Sequence, residues 1–269
     1  MPLKNKIGKI IAVTNQKGGV GKTTTAINLA TSMAAIKKNV LLIDLDPQGN
    51  ASTGLGIEDK DREVGTYEIL GDEKNIEGAI KKTIIPGLDI IPATVDLSAV
   101  EIELVDASNR MKRLQRYSIE LKQKYDFIFI DCPPSLGLLT INAFTAADSL
   151  LIPLQCEFYA LEGLSHLKKT IERIKNKLNK SIYIEGILLT MYDKRNRISL
   201  EVKEEVKKHF GKDLFKTIIP RNVKLSEAPS HGLPAILYDI NAPGSQAYIS
   251  LAKEMIAKIN MEKKIGSKK

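Results

Sequence analysis

The chain of 269 residues contains no tryptophan, only two cysteines and no long apolar run. Cys132 and Cys156 are too few for a disulfide framework, and they cannot form a cysteine-based zinc site alone. Apolar runs such as 40–43 fall far short of the roughly 18 residues that span a bilayer, and the apolar block after the basic N-terminal stretch is too short for a signal-peptide core. Because 43% of the residues are hydrophobic, we expect a folded, soluble, cytoplasmic protein.

The net charge of +8 is distributed unevenly along the chain. Residues 1–150 carry 18 Lys+Arg against 19 Asp+Glu, whereas residues 151–269 carry 22 against 13. The stretch 168–224 alone has 16 basic and 7 acidic residues. Such asymmetry suggests a polyanionic partner, either nucleic acid or an anionic membrane, although a solvated lysine-rich surface would give the same composition.

Short apolar segments alternate with longer helical patterns along the chain. Several of the apolar segments lack the polar alternation of a half-exposed strand. Strands are predicted at 9–14, 40–44, 88–92, 127–131, 149–154, 184–190 and 214–219. Helices are predicted at 23–36 and, as a pair, within 98–124, and an apolar stripe from Leu161 to Leu178 has helical spacing. The sequence therefore predicts an α/β fold of three layers, a mostly parallel sheet flanked by helices, as one domain over 1–269 with a flexible tail from about 262 to 269.

The segment after the first predicted strand is rich in glycine and leads into a helix. It matches the phosphate-loop pattern GxxxxGK[ST] except that Gln16 replaces the first glycine. Its glycines leave backbone N–H groups free to converge on phosphate oxygens, and the helix adds its positive N-terminal end. Lys22 is placed to reach the β- and γ-phosphates of ATP, and the Thr23 hydroxyl is placed to ligate Mg²⁺. The predicted nucleotide-binding residues of this loop are Lys17, Gly18, Gly19, Val20, Gly21, Lys22, Thr23 and Thr24.

Acidic residues end two further predicted strands. Asp44 and Asp46 precede a loop that contains proline and glycine, and Asp131 ends a hydrophobic strand as in a Walker B motif. A carboxylate in the Walker B position typically holds Mg²⁺ directly or through water. Because ligands of parallel sheets bind at the carboxyl ends of the strands, these acids are expected beside the phosphate loop. Asp44 is expected to support its loop rather than to react.

The form KGGxGKT, with Lys17 as a second lysine, resembles the deviant Walker A motif of the ParA/MinD ATPase superfamily. The resemblance is strongest to chromosomal ParA (Soj) proteins and includes the stretches 44–50, 131–142, 155–164 and 219–232. It implies an ATPase that uses ATP and Mg²⁺ and is slow unless stimulated. By the same resemblance, Lys17 would reach across a nucleotide-sandwiched dimer to the partner's phosphates, although as a lone residue it could be a solvated loop lysine.

The resemblance also assigns roles to residues outside the phosphate loop. Asp46 resembles the aspartate that positions the attacking water, so that Lys17, Asp46 and Asp131 are the predicted catalytic residues. Pro220 and Asn222 would border the adenine.

In this family the ATP-bound dimer binds DNA without sequence preference through basic residues on one face. Arg195 matches one DNA-contacting arginine, and Lys224 lies where relatives often carry a second, which keeps the charge but loses the bidentate fork. Arg197 and Arg221, together with Lys194, flank these positions. A plainer interpretation of Arg195 is a surface arginine in a turn.

The resemblance implies partners and a location as well. The expected partners are double-stranded DNA, a second copy of the chain, and a ParB/Spo0J-type centromere-binding protein that stimulates hydrolysis during chromosome partition at the nucleoid. Only about fourteen residues precede the phosphate loop, so we expect no helix-turn-helix extension that reads DNA sequence.

Three other interpretations remain open at this level. A MinD-like ATPase would bind membrane through a C-terminal amphipathic helix, but the basic tail 256–269 lacks the bulky apolar face of such anchors, so no stable membrane insertion is expected. The nitrogenase iron protein shares the nucleotide motif and clamps a cluster with cysteines, yet Cys132 and Cys156 lie outside its type of Gly-rich cysteine loop and are expected to be structural thiols. A metabolic or cluster-assembly ATPase would need a metal or small-substrate site that the sequence does not display.

Overall fold

The computed structural model describes residues 8–71 and 75–266. Its strands are β1 (Lys9–Val13), β2 (Val40–Asp44), β3 (Lys81–Lys82), β4 (Leu88–Ile91), β5 (Phe127–Asp131), β6 (Ser149–Gln155) and β7 (Tyr183–Thr190). Within these described ranges they form one sheet in the order β3-β4-β2-β5-β1-β6-β7. All neighbouring strands are parallel except β3, which pairs antiparallel with β4 at one edge.

Helices occupy the connections between the strands. The α-helices are α1 (Lys22–Ala35), α2 (Asn50–Gly54), α3 (Thr66–Gly71), α4 (Ile76–Ala79), α5 (Val100–Glu103), α6 (Ser118–Lys124), α7 (Leu138–Ala146), α8 (Ala160–Lys177), α9 (Arg197–Phe210), α10 (Val223–Glu227), α11 (Ala235–Tyr238) and α12 (Pro243–Gly266). Short 3-10 helices lie at Asp59–Asp61, Val95–Ala99, Arg110–Lys112, Gln115–Tyr117 and Ala228–His231.

Alternate residues of the central strands belong to two separate cores. In β1, Ile10 and Ala12 pack into a core that includes residues of α7 and α8, whereas Ile11 and Val13 pack into a core that includes residues of α1 and α12. Every residue of β2 and β5 is buried. Helices therefore cover both faces of the sheet, which confirms the predicted α/β fold of three layers and explains why these strands lack polar alternation.

The predicted strands agree with β1, β2, β4, β5, β6 and β7 to within one residue at each end. The prediction of a seventh strand at 214–219 is wrong. This segment follows β7 but bonds to it only at separate points, such as the 3.0 Å bond from Phe215 N to Ile187 O. Between those points the Glu254 carboxylate of α12 accepts the two backbone N–H groups that follow Phe215, at 2.7 and 2.8 Å. A helix side chain thus takes the donors that a strand would give to its neighbour.

The stretch 98–124 contains α5 and α6, as predicted, but short 3-10 helices separate them. Two side chains of α7 bond to the backbone of this stretch. Asn142 Nδ2 donates to Arg110 O at 2.7 Å, Leu114 N donates to Asn142 Oδ1 at 3.3 Å, and Thr145 Oγ1 donates to Met111 O at 2.7 Å. Because these bonds use backbone groups that a continuous helix would pair internally, the stretch folds in short pieces.

The long helix α8 has the predicted apolar stripe. Leu164, Leu167, Ile171 and Ile174 are buried, and the lysines and arginine between them are exposed. The amphipathic pattern of the sequence therefore gives the orientation of this helix on the sheet correctly.

The C-terminal helix α12 continues to Gly266, so the tail that the sequence predicts to be flexible from about 262 begins within a helix. Positions 267–269 of that tail lie outside the described residues. None of the described helices contains an apolar stretch of sufficient length to span a bilayer.

Candidate active site

Three adjacent strands end at the same edge of the sheet and bring their loops together. β5 lies between β1 and β2, and Asp131 at its end is in register with Val13 on one side and Asp44 on the other. The phosphate loop follows β1, and the loop that carries Asp46 follows β2. The sheet register therefore places the glycine-rich loop and both acidic loops beside one another, as the sequence predicts from the strand ends.

The glycine-rich loop has the backbone of a phosphate cradle. Gly19 and Gly21 have φ angles of +74° and +87°, in the left-handed region that side chains other than glycine rarely adopt. No atom lies within 4 Å of the position that a Cβ would take at Gly18 or Gly19, so this side of the loop is open. The closed side is held by the 2.8 Å bond from Thr190 Oγ1 to Val20 O. The loop is therefore anchored to the end of β7 on one side, and its other side is accessible to a ligand.

Lys22 begins α1 and turns inward. Its side chain is buried, and Nζ donates to the backbone oxygen of Lys17 at 3.0 Å. Burial lowers the pKa of Lys22, while the nearby carboxylates of Asp131 and Asp46 act in the opposite direction. Thr23 and Thr24 follow in the first turn of the helix. Lys22 is therefore positioned among the acids at the strand ends. A bound phosphate would add its negative charge to the negative charge of these acids.

Lys17 has different surroundings although it belongs to the same loop. Its side chain is half exposed and forms an ion pair with Glu157, which follows β6. Glu157 was not assigned a role from the sequence, since a single acid after a strand has no motif of its own. The ammonium group of Lys17 therefore lies at the surface, held by a partner that a stronger anion could displace.

The two acids after β2 differ in their hydrogen bonds. Asp44 is fully buried, and its Oδ2 accepts from Ser52 N at 2.8 Å and from Ser52 Oγ at 2.7 Å. Asp46 is nearly buried, and its Oδ1 accepts from Gln48 N at 3.0 Å. The bonds of Asp44 hold the start of α2 against the strand, whereas Asp46 retains an oxygen that could orient a water molecule.

Asp131 is the least satisfied polar group of the site. Its carboxylate is fully buried, and neither oxygen has a hydrogen-bond partner among the described residues. Burial raises the pKa of Asp131 well above its usual value, and the carboxyl of Asp44 adds to this shift, while Thr23 and Lys22 oppose it. A buried carboxylate that makes no hydrogen bond of normal geometry, with the Thr23 hydroxyl beside it, fits a site for Mg²⁺ with its water shell, because the ion would supply the missing charge. The residues present therefore fit a magnesium nucleotide.

A cavity of about 210 Å³ opens beside the phosphate loop. Its lining joins Gly21 and Thr24 to Pro220 and Asn222, so the structure brings both predicted adenine-site residues to the loop. Asn222 Oδ1 is buried and has no hydrogen-bond partner in the described chain. The cavity also includes residues that sequence reasoning missed, namely Thr190, Met191, Ile219, Leu225 and Tyr248. Of these, Thr190 and Ile219 end two segments that the sequence predicts as strands, 184–190 and 214–219.

The four predicted DNA contacts lie at or near the surface on neighbouring segments. Arg195 is in the loop between β7 and α9, and Arg197 begins α9. Arg221 lies just before α10, and Lys224 lies in the first turn of α10. Arg195 and Arg221, together with Lys194, line one groove, whereas Arg197 and Lys224 lie outside its lining. Three of the four are paired with acids close in sequence: Arg195 with Asp193, Arg197 with Glu201, and Lys224 with Glu227.

The two cysteines are buried thiols without a disulfide bond. Burial raises the pKa of Cys156 to about 11 and raises the pKa of Cys132 well above its usual value. Since the thiolate is the form that ligates metal, such neutral thiols are poor ligands, in agreement with the expected structural role. Among the residues that the structure describes, no group of three or more His, Cys, Asp and Glu side chains is arranged to hold a metal ion.

Comparison with known proteins gives matches over nearly the whole chain. Residues 8–184 match a family model described as an AAA domain. The chain is 57% identical to the sporulation initiation inhibitor protein Soj of Bacillus subtilis, over 93% of this chain and 99% of that protein. It is 53% identical to the chromosome partitioning protein ParA of Caulobacter vibrioides, over 93% and 94%, and 49% identical to the chromosome-partitioning ATPase Soj of Treponema pallidum, over 94% and 98%. It is similar in structure to the septum site-determining protein MinD of Pyrococcus horikoshii in complex with Mg-ADP, with a TM-score of 0.77, 27% identity and coverage of 92% and 96%.

Proposed function

This chain belongs to the Soj/ParA family of chromosome-partitioning ATPases, and we propose that it acts as an ATP-driven switch between a monomer and a DNA-binding dimer. In this proposal Mg²⁺-ATP assembles a nucleotide-sandwiched dimer that binds DNA without sequence preference. A ParB/Spo0J-type centromere-binding protein stimulates hydrolysis, which is otherwise slow, and hydrolysis releases the DNA. The protein would work in the cytoplasm at the nucleoid.

The observation that carries this proposal is the contrast between the two lysines of the glycine-rich loop. Lys22 is buried among acids and turned toward the cradle of its own chain, whereas Lys17 is half exposed and is paired with Glu157. An exposed ion pair contributes at most about 1 kcal/mol, so a phosphate of a second copy could displace Glu157. A cation supplied in trans to the γ-phosphate stabilises the charge of the transition state, as an arginine finger does.

The remaining residues of the site divide the chemistry among them. A bound Mg²⁺ ion would supply charge neutralisation at the β- and γ-phosphates, and Thr23 and Asp131 are the residues suited to hold it. Lys22 and the backbone N–H groups of the loop would bind the phosphates. Asp46 would accept a hydrogen bond from the attacking water and so orient it. The hydrogen bond from Gln48 N within the loop uses Oδ1 of Asp46, which leaves Oδ2 for the water.

Binding of the base follows from the adjoining cavity. The unpartnered Oδ1 of Asn222 is an acceptor suited to the amino group of adenine, and Pro220 offers an apolar surface for the ring. A buried acceptor without a donor costs about 1–3 kcal/mol, which a ligand with an amino group would recover. This preference favours ATP over nucleotides whose base presents an oxygen at that position.

DNA binding would use the basic residues that surround Arg195 and Lys224. Contacts made by Lys and Arg to the phosphate backbone give binding that depends on salt and ignores base sequence. The concentration of the positive charge in 168–224 supports a polyanionic partner of this kind.

The test is size-exclusion chromatography with ATP and with ADP, each in the presence and absence of duplex DNA. We expect a dimer with ATP alone, co-elution with DNA only in the ATP state, and a monomer with ADP. Pull-down with vesicles of anionic lipid, run with the same nucleotides, separates this proposal from a MinD-like function. ATP-dependent binding to vesicles without binding to DNA would refute the DNA-binding proposal.

A further inference from the structure

A groove of about 730 Å³ lies between the loop that follows β7 and the start of α12. Three cations, Lys194, Arg195 and Arg221, line it together with apolar residues such as Ile218 and Ala247. Within the described residues, Lys194 and Arg221 form no ion pair. The groove is therefore a concave surface of positive charge that adjoins the cavity beside the phosphate loop, with which it shares Pro220 and Arg221.

One acid, Asp193, also lines the groove and binds its central cation. Asp193 Oδ1 accepts from the backbone N and from Nε of Arg195, both at 3.0 Å, and Oδ2 accepts from Nη2 at 2.8 Å. These bonds lower the pKa of Asp193, and Arg221 lowers it further, so the carboxylate is ionised throughout the neutral range. The Arg195 side chain is 84% exposed, so solvent and ligands can reach it.

The bidentate contact between Arg195 and Asp193 has the geometry in which guanidinium groups also bind phosphate. Arginine offers the same pair of parallel N–H donors to a carboxylate and to a phosphate. Asp193 therefore occupies the donors of Arg195 that a backbone phosphate would need, whereas no acid is hydrogen-bonded to Lys194 or Arg221 among the described residues.

We propose that the groove binds a phosphate of the DNA backbone and that Asp193 is a built-in competitor for Arg195, one that weakens DNA binding and reduces its dependence on salt. The inference rests on the DNA-binding function proposed above and adds a residue that opposes it. When DNA binds, the phosphate replaces the carboxylate, and Asp193 then attracts a cation from solution. Each groove therefore releases fewer cations on balance than its number of phosphate contacts implies.

The substitution Asp193→Asn removes the competing charge and keeps the loop. Asparagine retains an oxygen that can accept from the backbone N of Arg195. The loop is held independently by the 3.0 Å bond from Tyr192 N to Ile219 O and the 3.1 Å bond from Arg221 N to Tyr192 O. A matched control is Glu58→Gln, since Glu58 pairs with Lys60 at the same spacing of two residues, is exposed, and lies outside the groove lining.

The experiment measures the affinity of the ATP-bound full chain for a short duplex at several salt concentrations. An exposed ion pair is worth about two- to five-fold in binding, so Asp193→Asn should bind roughly four- to twenty-five-fold more tightly as a dimer with two grooves. The slope of log affinity against log salt should steepen by about one for each groove. Glu58→Gln should change neither quantity appreciably, and both variants should hydrolyse ATP without DNA at the rate of the unsubstituted chain.

The effect of Asp193→Asn is also measured in a second variant, to test whether Asp193 acts through Arg195. In a chain that carries Arg195→Gln, Asp193→Asn should lose most of its gain, because the cation that the carboxylate masks is absent. Equal effects of Asp193→Asn and Glu58→Gln would overturn the proposal, since they would show a general effect of net charge. Weaker binding by Asp193→Asn would also overturn it, since Asp193 would then hold Arg195 in its binding position. In both cases the unsubstituted chain binds DNA and the proposed function stands; if no form binds DNA with ATP, the function and this inference fail together.

Discussion

Lys17 and Lys22 are five positions apart in one loop, and the structure gives them opposite surroundings. Lys22 is buried beside Asp131 and Asp46, whereas Lys17 is half exposed beside Glu157. A buried lysine among acids is held in place before any ligand arrives, so it suits phosphate binding within its own chain. An exposed lysine can change partners and therefore suits a contact between two copies.

We expect Lys22→Ala to weaken ATP binding by about 1.5–3 kcal/mol, which is roughly ten- to a hundred-fold in affinity, because a charge-assisted bond to phosphate is lost. The variant should remain monomeric with any nucleotide. The measurement is titration calorimetry with ATP, and Lys17→Ala is the matched control. That control should keep most of the affinity for ATP but lose dimer formation and turnover. Unchanged ATP affinity in Lys22→Ala would exclude the proposed cradle.

We expect Asp46→Ala to bind ATP and form dimers while its hydrolysis falls by at least about 100-fold, since a positioned acid or base contributes that much to a proton-transfer step. The trapped dimer should accumulate on DNA. Phosphate release and ATP affinity are measured side by side, with Asp59→Ala as a control in the same connection, where the side chain is 98% exposed. Normal turnover in Asp46→Ala would move the role to another acid, with Asp44 the first to test.

At the scale of elements, the segment 213–219 is held on β7 by packing as well as by hydrogen bonds. Gly186 in β7 lies directly against the buried ring of Phe215, and a Cβ at that glycine would overlap the ring. The segment leads into the wall of the cavity beside the phosphate loop, so the shape of that wall depends on this close approach.

We expect Gly186→Ala to reduce the free energy of unfolding by about 1–3 kcal/mol, as overpacking in a filled core usually does. Gly163→Ala in α8 is the matched control, since no atom lies within 4 Å of its Cβ position. That control should stabilise the chain by up to about 1 kcal/mol, because alanine favours a helix more than glycine does. Denaturation in urea measures both variants, and an equal effect of the two would show that the contact with Phe215 does not constrain the segment.

At the scale of the whole molecule, the phosphate loop with its acids and the excess of positive charge lie in different halves of the sequence. The phosphate loop and its acids lie in the first half, which carries 18 basic and 19 acidic residues, whereas the excess of positive charge is in the second half. The proposed DNA contacts can therefore be changed without touching the phosphate cradle.

We expect the double substitution Arg195→Glu and Lys224→Glu to abolish DNA binding while ATP-dependent dimer formation persists. Affinity for two unrelated duplexes of equal length, measured against salt, tests this expectation. Single substitutions should each weaken DNA binding, so that the effect is graded. Normal DNA binding by the double variant would place the contact face elsewhere, with the basic side of α8 as the next surface to test. A strong preference for one duplex would indicate that bases are read.

The sequence by itself determined the features that depend on short stretches of chain. The buried strands could be predicted because each is a short apolar run, and the phosphate loop because its glycines, lysines and threonine are consecutive. The grouping of Asp44, Asp46 and Asp131 beside that loop also followed from sequence, since parallel strands end at a common edge. The apolar stripe of α8 gave its buried side for the same local reason.

Only the tertiary structure decided the features that depend on residues far apart in sequence. Whether 214–219 forms a strand depends on Glu254, a side chain of α12 that takes two of its backbone N–H groups. The surface position of Lys17 depends on Glu157, which is 140 residues away. The groove around Arg195 requires the loop after β7 to lie beside α12. Local patterns carry no information on such pairs, because the contacts exist only after the sheet and its two layers of helices have assembled.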